Sequence, residues 1–450
     1  MERYNEYKDS GVQWLGEIPS HWKIEPFGRH FKFRKGLPIT KADLKENGIA
    51  VISYGQIHAK NNLGTTLTES LVRYVSQDYL HTHPRCLLTK NDFVFADTSE
   101  DIEGSGNFVY NDFKDDIFAG YHTIVARQDS LYNPKYYAYL FMSDAWKNRV
   151  RNLVNGVKVY SIGRKQLKDN FLLFPLPSEQ DAIVDFLDKE TFGIDKAIAM
   201  QQKMIDLLNE RKQIIIQNAV TKGLDGNVEM KDSGVDMIGM IPNYWKVEPF
   251  GKHFTFGKGL PITKANLQEE GVAVISYGQI HAKNNIGTTM TESLVRYVSP
   301  KYLESHTQCL LNQNDFVFAD TSEDIEGSGN FAFNDFENKL FAGYHTVIAR
   351  PQDLLFPKYY AYLFKSKAWK SQIQSLVNGV KVYSIGRRIL KTSMLLIPSE
   401  DEQKHIVGFL DEKTSAIEKS IENISRQISL LQERKQIIIN EVVTGKVRVS

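Results

Sequence analysis

A chain of 450 residues with 42% hydrophobic and 24% charged side chains has the composition of a folded globular protein of two to four domains, which excludes a disordered or fibrous molecule. A formal net charge of +1 excludes a histone-like, uniformly basic coat for nucleic acid and leaves any such binding to local patches. The charged N-terminal residues lack an apolar signal core, no apolar run reaches the about 18 residues that span a bilayer, and Cys86 and Cys309 are too few for a disulfide framework; the expectation is a cytoplasmic protein with no membrane partner.

In chain order, residues up to Pro177 alternate short β-branched and aromatic segments with Gly-containing turns. Segments 49–53, 93–95 and 122–126 are expected as strands, and 134–141, opened by Pro134 with apolar residues at i, i+3 and i+4, as a helix. Tyr136, Tyr137, Tyr139, Phe141 and Trp146 keep helical spacing and are assigned to core. After PLPSEQ, which ends at Gln180, the chain is Pro-free and helical in pattern for roughly 40 residues, about 60 Å of helix. Ser followed by Glu and Gln is an N-terminal capping signal.

The chain then says the same again. From Asp9 onward a register of 223 residues, the separation of Ser53 and Ser276, holds without a gap. SYGQIHAKNN occupies 53–62 and 276–285; 91–108 returns as 314–331, 153–164 as 376–387, and 210–216 as 433–439. This period is far longer than the about 20 to 50 residues of a solenoid repeat, so each copy holds a core of its own. The expected division is a first α/β domain at 1–177, a helical spacer at 178–225, a second α/β domain at 226–398 and a second spacer at 399–450.

Val407, Leu410, Thr414, Ile417, Ile421, Ile424, Ile428, Leu431, Lys435, Ile438 and Val442 follow alternating steps of three and four, a coiled-coil seam. The first copy matches it with Val184, Leu187, Thr191, Ile194, Ile198, Gln201, Ile205, Leu208, Lys212, Ile215 and Ala219. Two such stripes in one chain are expected to pack on each other as an antiparallel coiled coil, relating the copies by an internal pseudo-twofold; the alternative is that each helix packs only on its own domain. The fold class is α+β: mixed α/β domains plus long helices. Two like modules suit a target that also repeats, and double-stranded DNA with two half-sites is the commonest such target.

Candidate base readers follow from donor and acceptor chemistry: Asn and Gln for adenine, Arg and Lys for guanine, hydroxyls for either. The loop after the first strand offers Tyr54, Gln56, His58, Lys60, Asn61 and Asn62, repeated as Tyr277, Gln279, His281, Lys283, Asn284 and Asn285; the same residues also suit a plain hairpin turn. A second turn carries Lys158, Tyr160, Ser161 and Arg164, repeated as Lys381, Tyr383, Ser384 and Arg387, whose cations suit phosphate as well as bases. The acidic run DTSEDIEGSG at 97–106 and 320–329 misses the calcium-loop pattern, because its glycine falls eighth rather than sixth. It reads better as a solvated turn or partner-facing surface, although one carboxylate suits a cytosine amino group. His83 with Cys86, and His306 with Cys309, supply two ligands per copy, too few to close a zinc site.

DSGVQWLGEIPSHW at 9–22, ISYGQI at 52–57, NDFVFA at 91–96 with its Gly-rich turn, PLPSEQ, and the terminal VTGKV at 443–447 together resemble, in order, the specificity subunit of type I restriction-modification systems. The resemblance implies two target-recognition domains separated by helical spacers, assembly with two adenine-N6 methyltransferase subunits, and ATP-driven restriction subunits. S-adenosylmethionine, ATP and Mg are then expected on those partners, with no cofactor, metal or catalytic residue in this chain. The sequence agrees: it has no Asn/Asp-Pro-Pro-Tyr/Phe methyltransferase signature, since 133–136 lacks the second proline, and no phosphate loop of the GxxxxGK[ST] type. A duplicated hydrolase using Asp97, Glu100, Asp101 and Glu103 with His122 is the rival of another class, and a protein-only scaffold a third. Equal readout residues in both copies predict equal half-sites on opposite strands, an interrupted palindrome. The exchanges Lys32 to Thr255, Arg34 to Gly257 and Lys45 to Gln268 then mark those three positions as non-readers.

Overall fold

The computed structural model describes residues 2–129, 132–156, 158–352, 356–377 and 382–449. The chain divides into two compact units, one built from 1–201 with 426–450 and the other from 202–425. Their boundaries fall inside the long helices, so each unit holds one α/β domain, the start of one helix and the end of the other.

In the first unit Phe31–Lys35, Thr123–Gln128, Phe93–Ala96 and Phe108–Tyr110 form, in that order, an antiparallel four-stranded sheet. A three-stranded sheet sets Ile49–Ile52 between Ile117–Ala119, which is parallel to it, and Arg73–Val75, which is antiparallel. Alternation along Phe93–Ala96 explains how one strand serves two apolar clusters. Phe93 and Phe95 enter one apolar cluster with Phe141 and Trp146, while Val94 and Ala96 point the other way, against Ile52 and Ile117. The helix Pro134–Met142 begins where proline predicts, with the Asn133 side chain accepting from the Lys135 amide at 3.0 Å. Its aromatics and Trp146 are fully buried, as their spacing indicates. The second unit repeats the scheme with Phe254–Lys258, Thr346–Pro351, Phe316–Ala319 and Phe331–Phe333 in one sheet. Its other sheet is Arg296–Val298, Val272–Ile275, Leu340–Ala342 and the added edge Leu310–Leu311.

The long helices, Pro177–Lys222 and Glu400–Val443, have 46 and 44 residues, about 69 and 66 Å, and exceed the expected length. They start differently. Ser399 caps the second helix by accepting from the Glu402 amide at 3.3 Å. In the first helix the serine lies inside the opening turn, and Glu179 takes the Leu176 amide at 3.1 Å.

Every expected seam position is buried or half-buried. In the first unit Lys435 bonds Asp195 at 2.7 Å and Gln201 bonds Gln427 at 3.0 Å; in the second Lys212 bonds Glu418 at 3.2 Å. One residue number falls as the other rises, so within each unit the helix segments run antiparallel. Each helix also reaches the other copy's domain. Ile438, Ile439, Val442 and Val443 join the cluster that holds Trp22, and Tyr136 Oη donates to the Val443 carbonyl at 3.1 Å. Ile216, Ala219 and Val220 do the same around Trp245, with Tyr359 Oη on the Val220 carbonyl at 3.2 Å. Packing of each helix on its own domain alone is therefore excluded.

One exchange between the copies is expected to change stability. Met142 in the first unit corresponds to Lys365 in the second, where burial, with help from Lys212 and Lys370, pushes the ammonium down to about 8. Between pH 8 and the unfolded lysine value near 10.4 the unfolded chain holds the extra proton, so stability climbs with pH through that window. Lys365→Met is expected to stabilise the second unit at pH 7 by on the order of 1 to 3 kcal/mol. The gain should fade between pH 8 and 10.5 in urea titrations repeated across pH.

Candidate nucleic-acid interface

Four loops that are distant in sequence meet at one surface of each unit. The first begins as a helical turn, Tyr54–Ile57, closed by Gln56 Oε1 accepting from the Ser53 amide at 3.1 Å. His58 then ties it to the acidic run. Its Nε2 lies 2.9 Å from the Thr98 carbonyl and its Nδ1 3.2 Å from the Asn107 amide nitrogen. Asn62 is also spent internally, donating to the Ile57 and Phe108 carbonyls at 2.8 and 2.9 Å and accepting from the Gly64 amide at 3.0 Å. His58 and Asn62, expected to face a ligand, instead staple the loop. His281 and Asn285 repeat every one of these bonds. Lys60 and Asn61 remain exposed, and Asn61 is oriented by a 3.0 Å bond to Ser70 Oγ. Asn284 makes the matching bond to Ser293, and Lys283 is likewise exposed.

The acidic run contributes Thr98–Ser99, a two-residue strand paired antiparallel with Tyr160–Ser161 of the second candidate turn. Ile162 N donates to the Asp97 carbonyl at 2.9 Å, and in the other unit Ile385 N donates to Asp320 at 2.7 Å. Tyr383–Ser384 pairs with Thr321–Ser322. Lys158, Ser161 and Arg164 are exposed and Tyr160 half-buried; Ser384 and Arg387 are exposed and Tyr383 half-buried. Lys381 lies outside the described residues.

The acidic run, expected as a solvated turn or partner-facing surface, keeps Glu100, Asp101 and Glu103 exposed and also walls a cleft. Glu100, Asp101 and Glu103 face Tyr54 and His58 across a cleft of about 540 Å³, lined also by Ser99, Gly104 and Asn107. Its counterpart, about 760 Å³, is lined by Tyr277, His281, Glu323, Asp324 and Glu326, with His345 and Lys370 at its wall. No local pattern signals this cleft, because its closure rests on bonds from residue 58 to residues 98 and 107.

The fourth loop adds a residue that is absent from the candidate readers. His122 and His345 adopt φ of +54° and +53°. Each ring sits edge-on to the tyrosine of the first loop, with centroids 5.6 Å apart, and places Nδ1 3.2 Å from Asp97 or Asp320. A histidine at positive φ is not detectable from residue types alone.

Of the three basic residues that the second copy lacks, Lys32 pairs with Asp129 at 2.8 Å and none lines the first unit's cleft. Among the described residues no three or more His, Cys, Asp or Glu side chains are grouped as metal ligands, and no helix is long and apolar enough to cross a membrane.

A family model described as the type I restriction modification DNA specificity domain matches twice, over residues 19–209 and 243–426. The chain is 22% identical to a protein of Methanocaldococcus jannaschii assigned as the MjaX specificity subunit of a type I restriction enzyme, over 97% of this chain and 96% of that protein. It is 24% identical to the type I restriction enzyme MjaVIII specificity subunit of the same organism, over 69% of this chain and 70% of that protein. In fold it is similar to a solved chain from work on complex assembly and conformational transition of the type I restriction-modification system. The TM-score is 0.66 at 14% identity, covering 96% of this chain and 99% of that one. The hydrolase alternative finds no support in these matches.

Proposed function

Because the chain belongs to the type I restriction-modification DNA specificity family, whose function is DNA sequence recognition, we propose that the four-loop surface of each unit reads one half of a bipartite site. One observation carries this reading: loops drawn from 54–62, 97–106, 120–123 and 160–164 converge on one surface, and both units build it from the same residues. Exposed Lys60, Lys158 and Arg164, with Lys283 and Arg387, take phosphates and set register. Asn61, Tyr54, Ser161 and the amide nitrogen of Gln56, with their counterparts, are the readers left once His58, Asn62 and the Gln56 oxygen are assigned to holding the loop. The carboxylates of the cleft repel phosphate and accept only from donors, which on a base edge means an amino group.

In functional terms residues 1–177 and 226–398 are the recognition domains, and 178–225 and 399–450 are spacers. The chain is non-catalytic; adenine-N6 methyl transfer and ATP-driven cleavage belong to methyltransferase and restriction subunits acting in the cytoplasm. Like surfaces take like half-sites, so the target is an interrupted palindrome.

Lys60→Ala combined with Lys283→Ala, in the chain assembled with its methyltransferase subunits, is expected to weaken DNA binding for every sequence alike. The slope of log affinity against log salt should become shallower by about 2, one for each phosphate that is no longer neutralised. An unchanged slope would remove these lysines from the interface.

A further inference from the structure

This inference rests on the reading of the loop cluster as the DNA surface and assigns a residue to it. His122 and His345 are held at positive φ, an uncommon conformation for a residue with a side chain, although histidine, like asparagine and aspartate, is enriched there. The only other non-glycine residues with positive φ among those described are Asn91 and Asn314, a residue type that tolerates it. The surroundings impose this conformation. The His122 carbonyl accepts from the Asp97 amide at 3.1 Å, and Thr123 Oγ1 bonds the Gly120 carbonyl at 2.6 Å. Gly36 packs so closely on this turn that a β-carbon there would come within 2.1 Å of the Gly120 carbonyl. Both copies keep this arrangement, with Thr346 bonding Gly343 at 2.7 Å.

The ring is nevertheless not packed away. Side-chain exposure is 56% for His122 and 58% for His345. Asp97 and the edge of Tyr54 fix its direction, and Nε2 has no protein partner among the described residues. In the second unit His345 lines both the acidic cleft and a neighbouring one of about 540 Å³ that holds Lys258, Ser384 and Arg387. It forms the ridge between a carboxylate wall and a cationic one.

A carboxylate that accepts the Nδ1 proton fixes the tautomer and leaves the Nε2 lone pair as an outward acceptor. We propose that His122 and His345 each accept from an exocyclic amino group on a base edge, adenine N6 or cytosine N4, at one position of each half-site. Asp97 and Asp320 are the positioning residues that keep the acceptor outward. The left-handed conformation has a use on this account, because it projects a short, rigid ring beyond the loop.

The test uses the chain with its methyltransferase subunits and maps methylated sites by single-molecule sequencing. His122→Asn and His122→Gly suit the left-handed backbone, so both should melt at or above the parent temperature. Each should relax one base position in one half-site only, raising methylation of sites with another base there by roughly tenfold relative to the parent. The base that loses its preference tells adenine from cytosine. Asp97→Asn, whose carboxamide oxygen still accepts from Nδ1, should keep the motif, whereas Asp97→Ala should blur it at the same position. An unchanged motif with either His122 variant overturns the assignment, and so does loss of methylation at all sites without a lowered melting temperature. If Asn61→Ala relaxes the motif and the His122 variants do not, only this assignment fails; if none of them does, the reading of the loop surface fails with it.

Discussion

Arg127→Ala is expected to cost the first unit about 3 to 5 kcal/mol, the toll of leaving a buried carboxylate without its counter-charge. The Asp92 side chain is 1% exposed, and Arg127 holds it from Nε at 2.8 Å and from Nη2 at 2.5 Å. The remaining acceptor capacity goes to the Thr89 amide and hydroxyl at 2.8 and 3.2 Å. Arg127 lies on Thr123–Gln128, the strand flanked by two others in the four-stranded sheet, so loss of the pair is felt by the whole layer. Urea unfolding should show a transition moved to lower denaturant in the variant. Replacing both partners, Asp92→Asn with Arg127→Met, should cost less than the single change, because no lone charge is then buried. Arg350 and Asp315 form the same pair in the second unit at 2.9 Å, with Arg350 more exposed, and burial raises the Asp315 carboxyl against the lowering pull of Arg350. The corresponding Arg350→Ala effect should be smaller. Equal stability of Arg127→Ala and the parent chain would show that the pair contributes nothing.

Asn61→Ala is expected to relax recognition in one half-site while the other, which the proposal assigns to Asn284, keeps full stringency. An amide bond to a base edge is worth about 1 to 3 kcal/mol, a factor of roughly 5 to 150 in preference at that base pair. The bond to Ser70 Oγ is made by the amide nitrogen of an exposed residue and does not use the carbonyl oxygen, so an unmodified fold with altered preference is the expected phenotype. Relaxation of both half-sites together would contradict the assignment of one unit to each.

The repeat makes much of this architecture readable in advance. The helical seam is legible position by position because steps of three and four leave one continuous stripe, and all of those positions are at least half-buried. Strands come through as short β-branched and aromatic segments, and Pro134 marks its helix start. What periodicity does not carry is who closes whose loop. His58 and Asn62 are reasonable ligands for a base by residue type, yet their partners, Thr98, Asn107 and Phe108, lie some forty residues or more away and leave no trace in local pattern. That the acidic run walls a cleft is hidden for the same reason. His122 is legible by residue type as a companion of Asp97, but its direction stays hidden because positive φ in a histidine follows from the turn around it. Proline boundaries suggest a division into domains and spacers, whereas packing cuts each long helix in two, since each helix end lies against the opposite copy's domain.

The central claim is that duplicated surfaces read duplicated half-sites. Single-molecule methylation mapping of DNA from cells that express this chain with its methyltransferase subunit, against cells that express the subunit alone, tests it most directly. The expected result is N6-methyladenine on both strands of an interrupted palindrome, present only with this chain. An asymmetric bipartite motif would contradict the equivalence of the two surfaces, and the absence of any modified motif would contradict the assignment of DNA recognition to them.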